Sequence, residues 1–132
     1  MTGTIKTAVV TGGSRGIGLG VVKALLDHNF KVFSLSRNVC EELNDDRLVN
    51  IKCDVANEAN QLDAFKQIRE TTSRLDACFI NAGVCGVSPL LEMDTDEWDR
   101  VLSTNLTGAF YSLREAGRFM RDSTCGGNIV AC

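Results

Sequence analysis

Thr11-Gly12-Gly13-Ser14-Arg15-Gly16-Ile17-Gly18 joins the apolar run Thr7-Ala8-Val9-Val10 to a segment carrying Ile17, Val21, Val22, Leu25 and Leu26 at helical spacing. The apolar run reads as a buried strand, and the change from runs to a three-to-four period marks a tight turn into a helix. Such a turn presents backbone N–H groups and the positive end of the helix dipole together. A pyrophosphate can sit there against residues that lack side chains. Gly12, Gly16 and Gly18 supply that clearance, and Ser14, Arg15 and Ile17 lie within the same turn. The spacing Gly-x-x-x-Gly-x-Gly differs from the commoner Gly-x-Gly-x-x-Gly arrangement.

Outward from this turn, strand and helix signals alternate. Strands are predicted over 6–11, 31–36, 48–53 and 76–80, and helices over 16–28 and 58–72. A short helix opens at Asp94 or Thr95, and apolar spacing from Leu102 to Met120 predicts a long one from about 104 to 121. The run Asn128-Ile129-Val130-Ala131-Cys132 starts a fifth strand. This alternation predicts an α/β fold with a parallel sheet, and right-handed crossovers place the strands in the order 3-2-1-4-5. Residues 1–132 are expected to form one dinucleotide-binding domain of the doubly wound kind. Its sheet is incomplete, because nothing follows to cover the fifth strand.

Composition narrows the function. The chain has 132 residues, a net charge of −3, twelve glycines and one proline, which describes a globular α/β chain. Lysines and arginines form no stripe, so neither nucleic acid nor a membrane surface is an expected partner, and a small molecule is. The N-terminus carries no long apolar core and no segment approaches a membrane span, which predicts a cytoplasmic protein. The six cysteines (Cys40, Cys53, Cys78, Cys85, Cys125 and Cys132) show no paired spacing and are read as reduced thiols. No metal site is expected, since the only histidine, His28, ends a helix beside the turn-forming Asn29.

Four motifs in order, Thr11 to Gly18, Asp54-Val55, Asn81-Ala82-Gly83 and Asn105-Leu106-Thr107-Gly108, resemble those of the short-chain dehydrogenase/reductase family. The resemblance covers essentially the whole chain and implies a Rossmann-type fold with a nicotinamide cofactor. It assigns the glycine turn to the pyrophosphate and Asp54 to the adenine amino group, with Val55 giving a neighbouring backbone contact. Asn81, Ala82 and Gly83 would lie along the adenosine ribose. At the end of the second strand NAD wants a carboxylate for its ribose hydroxyl, whereas NADP wants a cation for its 2′-phosphate. This chain has Ser36-Arg37 there and Arg15 in the glycine turn, so NADP(H) is expected over NAD(H).

Catalysis in the family uses a serine, a tyrosine as general acid/base and a lysine four residues on, which favours the phenolate. The single tyrosine here, Tyr111, is followed four positions later by Glu115, and no lysine occurs after Lys66. Tyr111 is therefore expected to be a packing residue. Asn105 is the only catalytic-type residue present, matching the family asparagine that kinks its helix and holds a water in the proton relay. The expected function is that of the N-terminal part of an NADP(H)-dependent reductase, inactive alone and associating with further copies. Alternatives are a non-catalytic NADP(H)-binding module and a fragment completed by a partner chain. The substrate is unassigned beyond a carbonyl or alcohol.

Overall fold

A computed structural model describes residues 3–132. Five strands, β1 (Thr7–Thr11), β2 (Lys31–Ser36), β3 (Leu48–Lys52), β4 (Ala77–Ile80) and β5 (Asn128–Ala131), form one sheet in the order β3-β2-β1-β4-β5. All four pairings are parallel, with Val9 opposite Phe33 on one side and Cys78 on the other. The expected strand order and incomplete doubly wound architecture are thus the observed ones.

Alternation along the strands sends side chains to opposite faces and divides the core. On one face Val9, Phe33, Leu35, Ile51, Cys78 and Ile80 pack with Phe65 and Ile68 of α2 (Glu58–Thr71) and Phe119 and Met120 of α4 (Gly108–Asp122). On the other, Val10 and Val32 meet Val22 and Leu26 of α1 (Gly16–Asp27). Each fully buried Leu, Ile or Phe contributes about 1.5–3 kcal/mol of transfer free energy, which makes the face toward α2 and α4 the stronger of the two.

The C-terminal half of the helical layer differs in detail from its sequence reading. The short helix α3 (Thr95–Leu102) is capped by Asp94, whose side chain accepts from the Glu97 N–H. It does not end before the long helix begins. A π-helical turn over Ser103–Thr107 carries it directly into α4, with the Gly108 N–H bonded to the Ser103 carbonyl. The expected start near residue 104 therefore falls inside this wider turn, and the regular α-helix starts at Gly108. Among the described residues no helix is long and apolar enough to cross a membrane.

Candidate cofactor site

The strand-to-helix turn after β1 is built by backbone geometry. Gly12 and Gly16 take φ angles of 69° and 57°, a region that side chains disfavour. Gly18 is required for space: a Cβ there would run into the Gly12 carbonyl and stand 2.7 Å from Asn81 Nδ2. The helix that follows has no side-chain cap, since Arg15 at the N-cap makes no such bond and the first turn contains no acidic residue. By contrast α2 and α3 are capped, by Asn57 and Asp94. The first N–H groups of α1 are thus left facing an external acceptor, as an anion site needs.

This turn lies where the chain order reverses in the sheet, with β2 on one side of β1 and β4 on the other. Loops leaving adjacent parallel strands in opposite directions open a crevice at their C-terminal ends. Thr11 pins it. Its Oγ1 accepts from the N–H groups of Asn81 and Ala82, both at 3.0 Å, while Asn81 Nδ2 donates to the carbonyls of Thr11 and Gly12 at 3.3 and 3.4 Å. The glycine turn and the Asn81-Ala82-Gly83 segment are therefore one hydrogen-bonded unit.

A cleft of about 320 Å³ occupies this point. It is lined by Gly12, Ser14, Arg15, Gly16 and Ile17 from the turn, by Ser36 at the end of β2 and by Arg37 beyond it. Asp54 and Val55 beyond β3 and Asn81, Ala82 and Gly83 beyond β4, also expected from the sequence, line it as well. Two expected residues stand outside the lining: Gly18 lies buried under the turn, and Asn105 touches the lining only through its bonds to Val84. Sequence reasoning missed Leu35, Asn38, Cys53, Val84 and Thr104, which also line the cleft.

The electrostatics are one-sided at the outer end. Arg15 and Arg37 are exposed and, among the described residues, neither takes part in an ion pair. Asp54 is the only carboxylate in the lining, and it closes its own turn by accepting from the Ala56 N–H at 3.0 Å. Capping of α2 falls instead to Asn57, which accepts from the Asn60 N–H at 3.0 Å. Cys53 forms an unreactive wall, because burial, reinforced by the charges of Asp54 and Asp63, pushes its thiol up to about 11.

Asn105 projects from the π turn and grips the loop after β4 at both polar ends of one residue. Its Oδ1 accepts from the Val84 N–H at 2.7 Å and its Nδ2 donates to the Val84 carbonyl at 2.8 Å. Further along the loop Glu97 accepts from the Ser88 hydroxyl and Arg100 donates to the Cys85 carbonyl at 3.2 Å. Tyr111 is half-buried, its ring 5.6 Å from that of Phe110 and 5.4 Å from the Arg114 guanidinium. Exposed Cys85 has no imidazole to activate it, as His28 is committed to the Ala24 carbonyl at 2.8 Å.

Comparison with known proteins agrees with this fold. The family described as short chain dehydrogenase matches residues 6–132. Short-chain dehydrogenase reductase 3c of Arabidopsis thaliana is 34% identical over 134 aligned positions, covering 95% of this chain and 51% of the relative. Dehydrogenase/reductase SDR family member 11 of Gallus gallus is 33% identical, with 90% of this chain and 51% of that protein aligned. A short-chain type dehydrogenase/reductase from Mycobacterium marinum superposes with a TM-score of 0.90 at 29% identity, covering 96% of this chain and 54% of the other. The chain spans about half the length of the curated relatives it matches. With the glycine turn, the strand order and the match over nearly every residue in agreement, the chain belongs to the short-chain dehydrogenase family, oxidoreductases that work with a nicotinamide cofactor.

Proposed function

We propose that this chain is the cofactor-binding part of an NADP(H)-dependent oxidoreductase that moves a hydride between nicotinamide and a carbonyl or alcohol. The observation that carries the reading is the pair of exposed, ion-unpaired guanidiniums of Arg15 and Arg37 beside the cleft, with Ser36 and no acid at the end of β2. Arginine forks suit a phosphate monoester, whereas the hydroxyl of NAD calls for a carboxylate at this place.

In this reading Gly12, Ser14, Gly16, Ile17 and Gly18 hold the pyrophosphate, Ser36, Arg37 and Arg15 the 2′-phosphate, and Asp54 and Val55 the adenine. Asn81, Ala82 and Gly83 line the adenosine ribose. The nicotinamide, when bound, supplies or accepts the hydride. Asn105 acts indirectly, fixing Val84 and keeping the π turn open for a water. Residues 1–132 contain no Tyr-x-x-x-Lys sequence, which supports a chain without turnover of its own. An intact cleft together with a Tyr111 that packs against Arg114 favours, as a second reading, a non-catalytic NADP(H)-binding module. Six unpaired cysteines suit a cytoplasmic setting, and the exposed apolar helix face from Trp98 to Leu113 suits association of copies.

The test is the double variant Arg15→Ala/Arg37→Ala. Charge-assisted bonds of about 1.5–3 kcal/mol are removed only from the phosphorylated cofactor. NADPH affinity in calorimetric titration is expected to fall about 10- to 100-fold while NADH affinity changes less than about twofold. Equal loss for both cofactors would overturn the assignment.

A further inference from the structure

Gln61 is a polar residue on the inward face of α2, with none of its surface exposed. Its neighbours on that face, Ala64, Phe65 and Ile68, are the apolar residues a core helix calls for. Burying an amide costs free energy unless every polar atom finds a partner. Each atom of this one does. Nε2 donates to the Val55 carbonyl and to the Gly108 carbonyl, both at 2.8 Å, and Oε1 accepts from the Ser112 hydroxyl at 2.8 Å.

The three partners belong to two segments far apart in the chain. Val55 lines the cleft, while Gly108 closes the π turn and Ser112 lies one turn further along α4. Val55 and α4 are also in direct contact: a Cβ on Gly108 would stand 2.9 Å from the Val55 carbonyl oxygen and 3.0 Å from Val55 Cγ2. The Val55 peptide is thus held by Gln61 and packed against the Gly108 backbone. The same π turn carries Thr104, which lines the cleft, and Asn105, which holds Val84 in its wall.

From these contacts we infer that Gln61 is a positioning residue for the adenosine half of the cofactor site. It locks Val55 in the cleft wall and sets that wall's distance from the π turn. The inference rests on the dinucleotide reading given above. Leucine or valine at position 61 would fill the volume but would leave the Val55 carbonyl without its side-chain donor, whereas the Ser112 hydroxyl would still donate to the Gly108 carbonyl at 3.1 Å. The wall would relax away from α4 to find other donors.

The experiment compares Gln61→Met with Ile68→Val, a variant that thins the same helix's core contact away from Val55. Binding of adenosine 2′,5′-bisphosphate is measured by calorimetry at a temperature where each protein is fully folded by circular dichroism. Both variants are expected to melt earlier than the wild type. Only Gln61→Met is expected to bind the bisphosphate about tenfold more weakly, with Ile68→Val within about twofold of wild type. Equal affinity of folded Gln61→Met and wild type would overturn the inference. Should Gln61→Met not fold, Gln61→Asn takes its place, since an amide one methylene shorter keeps the polarity but draws the donor away from the Val55 carbonyl. The same tenfold loss supports the inference and an unchanged affinity overturns it. A wild-type chain that does not bind the bisphosphate would instead contradict the dinucleotide reading itself.

Discussion

Asp76 shows how much of this fold depends on single polar residues. Its Oδ2 accepts from the Thr7 N–H at 2.7 Å and from Arg74 Nε at 2.9 Å, and its backbone joins Thr7 on one side and Asn128 on the other. One residue therefore aligns the starts of β1, β4 and β5. Burial raises its pKa, but the Arg74 and Thr7 hydrogen bonds outweigh it and hold the carboxyl below its ordinary value of 3.8. A group with a depressed folded pKa stabilises above its unfolded value and loses that contribution as pH falls through the folded one. Asp76→Asn is expected to cost about 1–2 kcal/mol at neutral pH and to flatten the decline in stability below about pH 4, read by urea denaturation between pH 7 and pH 3. An unchanged acid limb would show that Asp76 carries none of this linkage. At the same scale, glycines and charges announced the cleft in the sequence, whereas Cys53, Val84, Thr104 and Gln61 did not. Their roles arise from contacts between segments far apart in the chain, which no local pattern encodes.

Elements were legible where hydrophobic period and punctuation agree. The β2 boundaries match their expectation, and α2 starts at Glu58 as expected, capped by Asn57. The π turn was not legible in the hydrophobic period, although the resemblance had Asn105 kink its helix. Leu102, Leu106 and Phe110 recur every four residues, a spacing that an α-helix and an α-helix with one wide turn both satisfy. That continuous α3–π–α4 segment displays Trp98, Leu102, Leu106, Phe110 and Leu113, each between 37% and 66% exposed. A face of this kind is covered in solution when copies pair. Light scattering at about 100 μM is expected to give at least twice the monomer mass for the wild type and the monomer mass for Leu106→Asp/Leu113→Asp. A monomeric wild type would remove this face as an interface.

At the scale of the whole molecule the parts of the cleft support one another. The uncapped α1 end, the Thr11–Asn81 bonds and the reversal of strand order all meet at one cleft. The central claim is that this cleft takes a dinucleotide and prefers the one bearing a 2′-phosphate. Titration of the mass-verified chain with NADPH and with NADH, followed by calorimetry, tests it most directly. The account predicts saturable one-to-one binding of NADPH at least tenfold tighter than that of NADH. Binding of NADH as tight as or tighter than NADPH, or of neither by a chain shown to be folded, would contradict it.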